Sequence, residues 1–164
     1  MNSTDYKYIL WDNDGVLVNT EQWYFAATRE ALAELGVQLP IDAYQQIMIQ
    51  GRSSWELAAQ AGVDPQQIKD GQDLRDELYR TYLRNNDLRI KGVFEVLSEL
   101  AQHYQMAIVT TCRRDDFELI HSNLDLLQFM QFVLTREDYA ESKPHPEPYL
   151  TAPVSYTHLR AHET

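Results

Sequence analysis

The amino-acid sequence predicts an α/β protein with a parallel sheet and, inserted into it, an α-helical cap. Three observations carry that expectation. The apolar runs Tyr8-Ile9-Leu10-Trp11, Met106-Ala107-Ile108-Val109-Thr110 and Gln131-Phe132-Val133-Leu134 read as buried strands, the first of the kind covered on both faces. Helical periodicity separates the later two runs, and strands alternating with helices indicate a parallel sheet. Between the first two runs, residues 19–86 are helical in pattern and too long for a simple crossover. They are assigned to an inserted cap, and residues 1–18 with 87–152 to the core.

The first strand ends abruptly at Asp12-Asn13-Asp14-Gly15, which puts acidic residues at its carboxyl end. After Val16-Leu17-Val18, Thr20 is placed to cap a helix whose apolar residues Tyr24, Ala27, Ala31 and Leu35 recur at helical spacing, with Gly36 as the stop. A second helix is expected over Ile41 to Gln50. Ser53-Ser54-Trp55-Glu56 has the capping-box pattern and starts a third, closed by Gly62. Asp64-Pro65 pairs a cap with a first-turn proline and opens a fourth, which runs toward Asn85 in spite of Gly71. Beyond Lys91-Gly92, the residues Val93, Val96, Leu97 and Leu100 mark a helix leading into the second strand, and Asp115 to Ser122 reads as helical before the third.

The 25 Asp and Glu against 14 Lys and Arg leave a net charge of −11, which repels phosphate backbones and anionic membranes. Neither nucleic acid nor a membrane is an expected partner. An anionic substrate must then be met by a local positive site or a bound cation. At 164 residues, 44% hydrophobic and 24% charged, the chain suits one folded domain or a small core plus an insert, and excludes disorder as its main theme. Cys112 is the single cysteine, so no intramolecular disulfide forms, and the opening MNSTDYKYILW lacks the basic region and apolar stretch of a secretory signal. Charged residues interrupt every apolar run before it reaches membrane-spanning length. The expected setting is the cytoplasm.

The closing string VSYTHLRAHET, residues 154–164, resembles the translation of a sequencing-library adapter, so residues 153–164 are expected to be a non-native tail. His158 and His162 stand four apart within it, but no carboxylate accompanies them and they are not assigned to a metal.

Asp12 and Asp14 are two apart, which in an extended chain puts both carboxylates on one side. Carboxylates this close repel, so one is offset by a cation or keeps its proton, an arrangement that suits a nucleophile or metal ligand beside a general acid. Ligands of open α/β sheets bind at the carboxyl ends of the strands, where this tetrad falls. Thr110, at the end of the second strand, presents a hydroxyl and neighbouring N–H groups to an oxyanion. Lys143, in Ser142-Lys143-Pro144-His145-Pro146, supplies a positive charge held by the prolines that follow it. The helical insert begins just after the tetrad and is placed to close over it.

Together these residues resemble the haloacid dehalogenase-like hydrolase superfamily. YILWDNDGVLVNTE (8–21) is similar to its first motif, AIVTT (107–111) to its second and SKPHPEPYL (142–150) to its third, while the insert is similar to the helical cap of the subfamily containing phosphoglycolate phosphatase and β-phosphoglucomutase. The resemblance implies a Rossmann-like core in which Asp12 attacks the phosphorus of a small phosphorylated metabolite and forms an aspartyl-phosphate. It further implies that Asp14 acts as acid and then base, that Thr110 and Lys143 hold phosphate oxygens, and that Mg²⁺ is held by Asp12 and the backbone carbonyl of Asp14. The family's fourth motif, an acidic pair beyond the Lys143 helix, has no counterpart here. The core is therefore expected to be incomplete at its C-terminus, with an edge of the first strand unpaired and the chain as given inactive and poorly stable.

Arg52, in Gly51-Arg52-Ser53, sits where similar caps present a substrate-reading loop, and a guanidinium there can grip a polar or anionic group. Glu137 and Asp138 precede Lys143 and are not assigned to the metal. Arg113 and Arg114 are read as solvated surface, Cys112 as a buried thiol, and His103 and His121 as satisfied residues on helices. A sugar-phosphate mutase that passes the phosphoryl group from Asp12 to a second hydroxyl, and a non-catalytic protein that keeps only the fold, stand as alternatives to the hydrolase.

Overall fold

The computed structural model describes residues 8–152, so the tail read as non-native, with His158 and His162, lies outside the described residues. Three strands form a parallel sheet in the order β1-β2-β3: β1 is Tyr8–Trp11, β2 is Gln105–Val109 and β3 is Met130–Leu134. In register, Tyr8 pairs Gln105 and Trp11 pairs Ile108, while Val109 pairs Leu134 beyond a shift between Met106 and Ile108. The central strand is the buried one, with Met106, Ala107, Ile108 and Val109 all closed to solvent. Val109 and Leu134 continue that core toward Ala152, with Leu10 and Phe132 packed against them.

The expectation that β1 is covered on both faces needs correction. Tyr8 is exposed, and Ile9, Leu10 and Trp11 are only half-buried. The reason is position, since β1 stands at the edge of the sheet among the described residues and has β2 alone as a partner. Trp11 compensates by donating its indole N–H to the Met106 sulfur at 3.3 Å.

The chain separates into two compact units, one running to Asn19 and resuming at Asp87, the other Thr20–Asn86. In the first, α5 (Val93–Leu100) precedes β2 and α6 (Arg114–His121) follows it. The second is wholly helical: α1 (Glu21–Glu34), α2 (Ile41–Ile49), α3 (Glu56–Gln60) and α4 (Pro65–Asn85). Its core is Ala31, Leu32, Val37, Leu39, Tyr44, Ile47, Trp55 and Ala58. Helix α1 stops at Gly36, where a φ of 73° lets the Val37 N–H reach back to the Leu32 carbonyl at 2.9 Å. Asp64 caps α4 by accepting from the Gln66 N–H at 2.8 Å. Gly71 is explained by crowding, because a Cβ there would come within 3.0 Å of both Leu35 Cδ1 and Trp55 Cζ3.

Two caps differ from the sequence reading. Thr20 occupies the N-cap position of α1 in helical backbone geometry, and its side chain makes no capping bond. The Ser53 pattern forms half a capping box: Glu56 accepts from the Ser53 N–H at 3.3 Å, whereas the Ser53 hydroxyl takes the Trp55 N–H and α3 starts at Glu56. His103, expected on a helix, lies exposed in the turn after α5. Among the described residues no helix is long and apolar enough to cross a membrane.

Candidate active site at the carboxyl ends of the strands

Asp12 follows β1 directly, and the chain then turns tightly on the Asn13 carbonyl, which accepts from the N–H groups of Val16, Leu17 and Val18. Gly15 makes the turn possible with a φ of 74°, and its N–H returns to the Val18 carbonyl at 2.8 Å. Val18 is fully buried and pairs with Arg89, so the far end of the loop is anchored to the same unit. Both aspartates are thereby held at one strand end.

The other site residues arrive from β2 and from the segment after β3. Lys143 donates to Asp12 Oδ1 at 3.1 Å and to the carbonyl of Val109, the last residue of β2, at 2.7 Å. Its side chain is 18% exposed against 50% for Asp12, so the cation is set back while the carboxylate meets solvent. Thr110, fully buried, accepts the Cys112 N–H at 3.0 Å, which turns its own hydroxyl proton toward Asp14 Oδ2 at 3.4 Å. The Tyr139 hydroxyl donates to the Thr110 carbonyl at 2.6 Å. Glu147 clasps the Lys143 turn by accepting from the N–H groups of Ala140 and Glu141 at 2.9 and 2.8 Å, and those bonds hold its carboxyl below the usual range. Asp12, Asp14, Thr110 and Lys143 are therefore assembled by backbone demands at the ends of two neighbouring strands.

The remaining candidates have other partners. Arg52 belongs to the helical unit, where its guanidinium is exposed, pairs with Glu56 and donates to Gln50 at 3.4 Å. Glu137 accepts the Arg114 N–H at 3.0 Å, and Asp138 pairs with the Arg114 guanidinium while forming a capping box with Thr135. Their partners tie α6 to the segment after β3. His145 Nδ1 accepts from the Glu147 N–H at 3.2 Å. Burial pushes the Cys112 thiol well above its ordinary range, and the charges of Asp14, Asp116 and Glu137 push it further, which keeps it a thiol.

His121 lies on a helix as expected but is satisfied at Nε2 alone among the described residues, and its partner Asn13 was not singled out in the sequence. Asn13 is 0% exposed, and its Oδ1 lies 2.8 Å from Nε2 of His121, which is 7% exposed at the end of α6. Burial draws the His121 pKa down to about 4. The polar residue between two aspartates was the available signal, since its amide carries both a donor and an acceptor.

A model of the haloacid dehalogenase-like hydrolases matches residues 9–164, and the chain belongs to that family. A phosphoglycolate phosphatase of Photorhabdus laumondii is 29% identical over 88% of this chain, and a validoxylamine A 7'-phosphate phosphatase of Streptomyces hygroscopicus is 31% identical over 90%. The chain spans 65% of the length of the first and 70% of the second. The crystal structure of CbbY from Rhodobacter sphaeroides in complex with phosphate has the same fold, with a TM-score of 0.72 and 19% identity over 93% of this chain and 73% of that one. The fold is thus a Rossmann-like parallel sheet carrying a helical insert.

Proposed function

We propose that the protein is a phosphoric monoester hydrolase for a small phosphorylated metabolite, working through an aspartyl-phosphate on Asp12. The observation that carries the reading is the meeting of Asp12, Asp14, Thr110 and Lys143 at the carboxyl ends of β1 and β2. Both relatives named above are phosphatases of small molecules. A carboxylate oxygen of Asp12 bonds to phosphorus as the ester P–O bond breaks, and the departing oxygen takes a proton from Asp14. Water then attacks the phosphorus and gives a proton to Asp14, and cleavage of the acyl P–O bond restores the Asp12 carboxylate. Thr110 and Lys143 hold phosphate oxygens through both steps, and Lys143 keeps Asp12 oriented between them.

The donors present suit Mg²⁺. Two carboxylates at one strand end offer hard oxygen ligands, and among the described residues no group of three or more His, Cys, Asp or Glu builds an all-protein cage. Mg²⁺ is commonly held by one or two carboxylates with water and phosphate completing the shell. The Asp12 carboxylate and the Asp14 carbonyl would hold it. When bound, it supplies positive charge that offsets repulsion between the carboxylates and a phosphate dianion.

Residues 19–86 are assigned as the cap, with Arg52 as its substrate-reading residue, on the strength of its exposed guanidinium. The cytoplasm is the proposed setting, from the single cysteine. The test is release of phosphate from a panel of sugar, polyol and glycolate phosphates with Mg²⁺, together with trapping of Asp12 by beryllofluoride. Isomerised sugar phosphate without free phosphate would assign the mutase reaction instead. Absence of both turnover and trapping would leave a protein that keeps the fold without the chemistry.

A further inference from the structure

We propose that His121 is a positioning residue for Asp14: through an Nε2–H bond to the Asn13 side-chain oxygen Oδ1, it aims the Asn13 amide at the Asp14 carboxylate. The inference rests on the reading of Asp14 as the acid and base. Asn13 Nδ2 stands 3.4 Å from Asp14 Oδ2 at one end of the amide, and Asn13 Oδ1 stands 2.8 Å from His121 Nε2 at the other. An ionised carboxylate only accepts, so the NH₂ end must face Asp14 and the oxygen must face His121. That oxygen also only accepts. Nε2 therefore carries the ring proton.

The rest of the ring environment agrees with that tautomer. Nδ1 is buried without a hydrogen-bond partner among the described residues, a place that would strand a second N–H. Burial alone disfavours the charged ring, which is neutral at pH 7. Phe117, one helical turn earlier, lies against the imidazole with ring centroids 4.3 Å apart and fixes its plane. Both Asn13 and His121 are buried, where a hydrogen bond is electrostatically stronger than in water. At its far end, Asp14 Oδ2 receives two donors, Asn13 Nδ2 and Thr110 Oγ1. These donors restrain rotation of the carboxyl group.

The test reads the contact directly and turnover separately, in the full chain. At pH 7, long-range ¹H–¹⁵N spectra should show His121 neutral with its proton on Nε2. His121→Leu should move the side-chain amide signals of Asn13, and His121→Gln, whose Nε2 also donates, should bring them back. With p-nitrophenyl phosphate and Mg²⁺, His121→Leu should lower kcat about tenfold with KM within about twofold, and His121→Gln should recover most of the loss. A proton on Nδ1, a charged ring at pH 7, or Asn13 signals indifferent to His121→Leu would overturn the inference. If the leucine variant fails to fold, the wild-type ring spectrum and the glutamine variant decide it. Expected spectra without phosphate release support the His121 contact, and turnover is then read in a chain that carries the family's fourth motif as well, where its absence counts against the hydrolase reading instead.

Discussion

Asp12 and Asp14 differ in what surrounds them, and the difference assigns their work. Asp12 is half-exposed beside the Lys143 ammonium, where a phosphorus atom can approach it, whereas Asp14 is engaged by the neutral donors Thr110 and Asn13. In a chain that carries the family's fourth motif as well, Asp12→Asn should abolish turnover, since an amide is a poor nucleophile. The expected loss is on the order of a thousandfold or more, and more than about a tenth of wild-type activity would refute the covalent route. Asp14→Asn should depress kcat in both half-reactions while phosphate binding, followed by calorimetry, stays close to wild type. Equal loss of binding and turnover would contradict its assignment. The aspartates, Thr110 and Lys143 were legible because each closes an apolar run or stands in a short motif. Asn13 with His121, and Tyr139 with Thr110, were not, because such pairs join residues far apart in the chain and leave no local periodicity.

At the scale of elements, helices announced themselves well and caps poorly. Alternation of apolar positions records which face is buried, so α1, α4, α5 and α6 fall close to their expected spans. A cap depends on the direction of one side chain, and Thr20 and Ser53 turned theirs elsewhere. The apolar run of β1 matched a covered strand in composition, yet burial depends on neighbours that composition does not record. Gly71 is the clearest gain from the structure. Lengthening it to leucine in Gly71→Leu drives atoms into Leu35 and Trp55, and should cost about 1–3 kcal/mol despite the better helix propensity, read as a lowered denaturant midpoint. An unchanged midpoint would show that the Leu35 and Trp55 contacts yield freely.

For the molecule as a whole, pH acts on stability through His121. Its pKa falls from 6.5 unfolded to about 4 folded, so between those values the unfolded chain binds the extra proton. The contribution is fully present above about 6.5 and is lost as pH falls toward 4, by up to about 3 kcal/mol. Glu147, held low by backbone N–H groups, adds its own loss only below 4.5. Melting temperature should therefore decline between pH 6.5 and 4.5 in the wild type and be flatter there in His121→Gln. The parallel ladder has a kinetic consequence as well. Pairing Tyr8 with Gln105 closes a loop of 105 − 8 = 97 residues, of which Thr20–Asn86 accounts for 67. A helical unit that folds first on its own core shortens the effective loop to about 30 residues and spares roughly 1 kcal/mol of closure entropy. The order of events follows: in pulse-labelled hydrogen exchange, amides of α1 and α4 should gain protection before those of β2, and Gly71→Leu should slow the appearance of the sheet although it lies outside it.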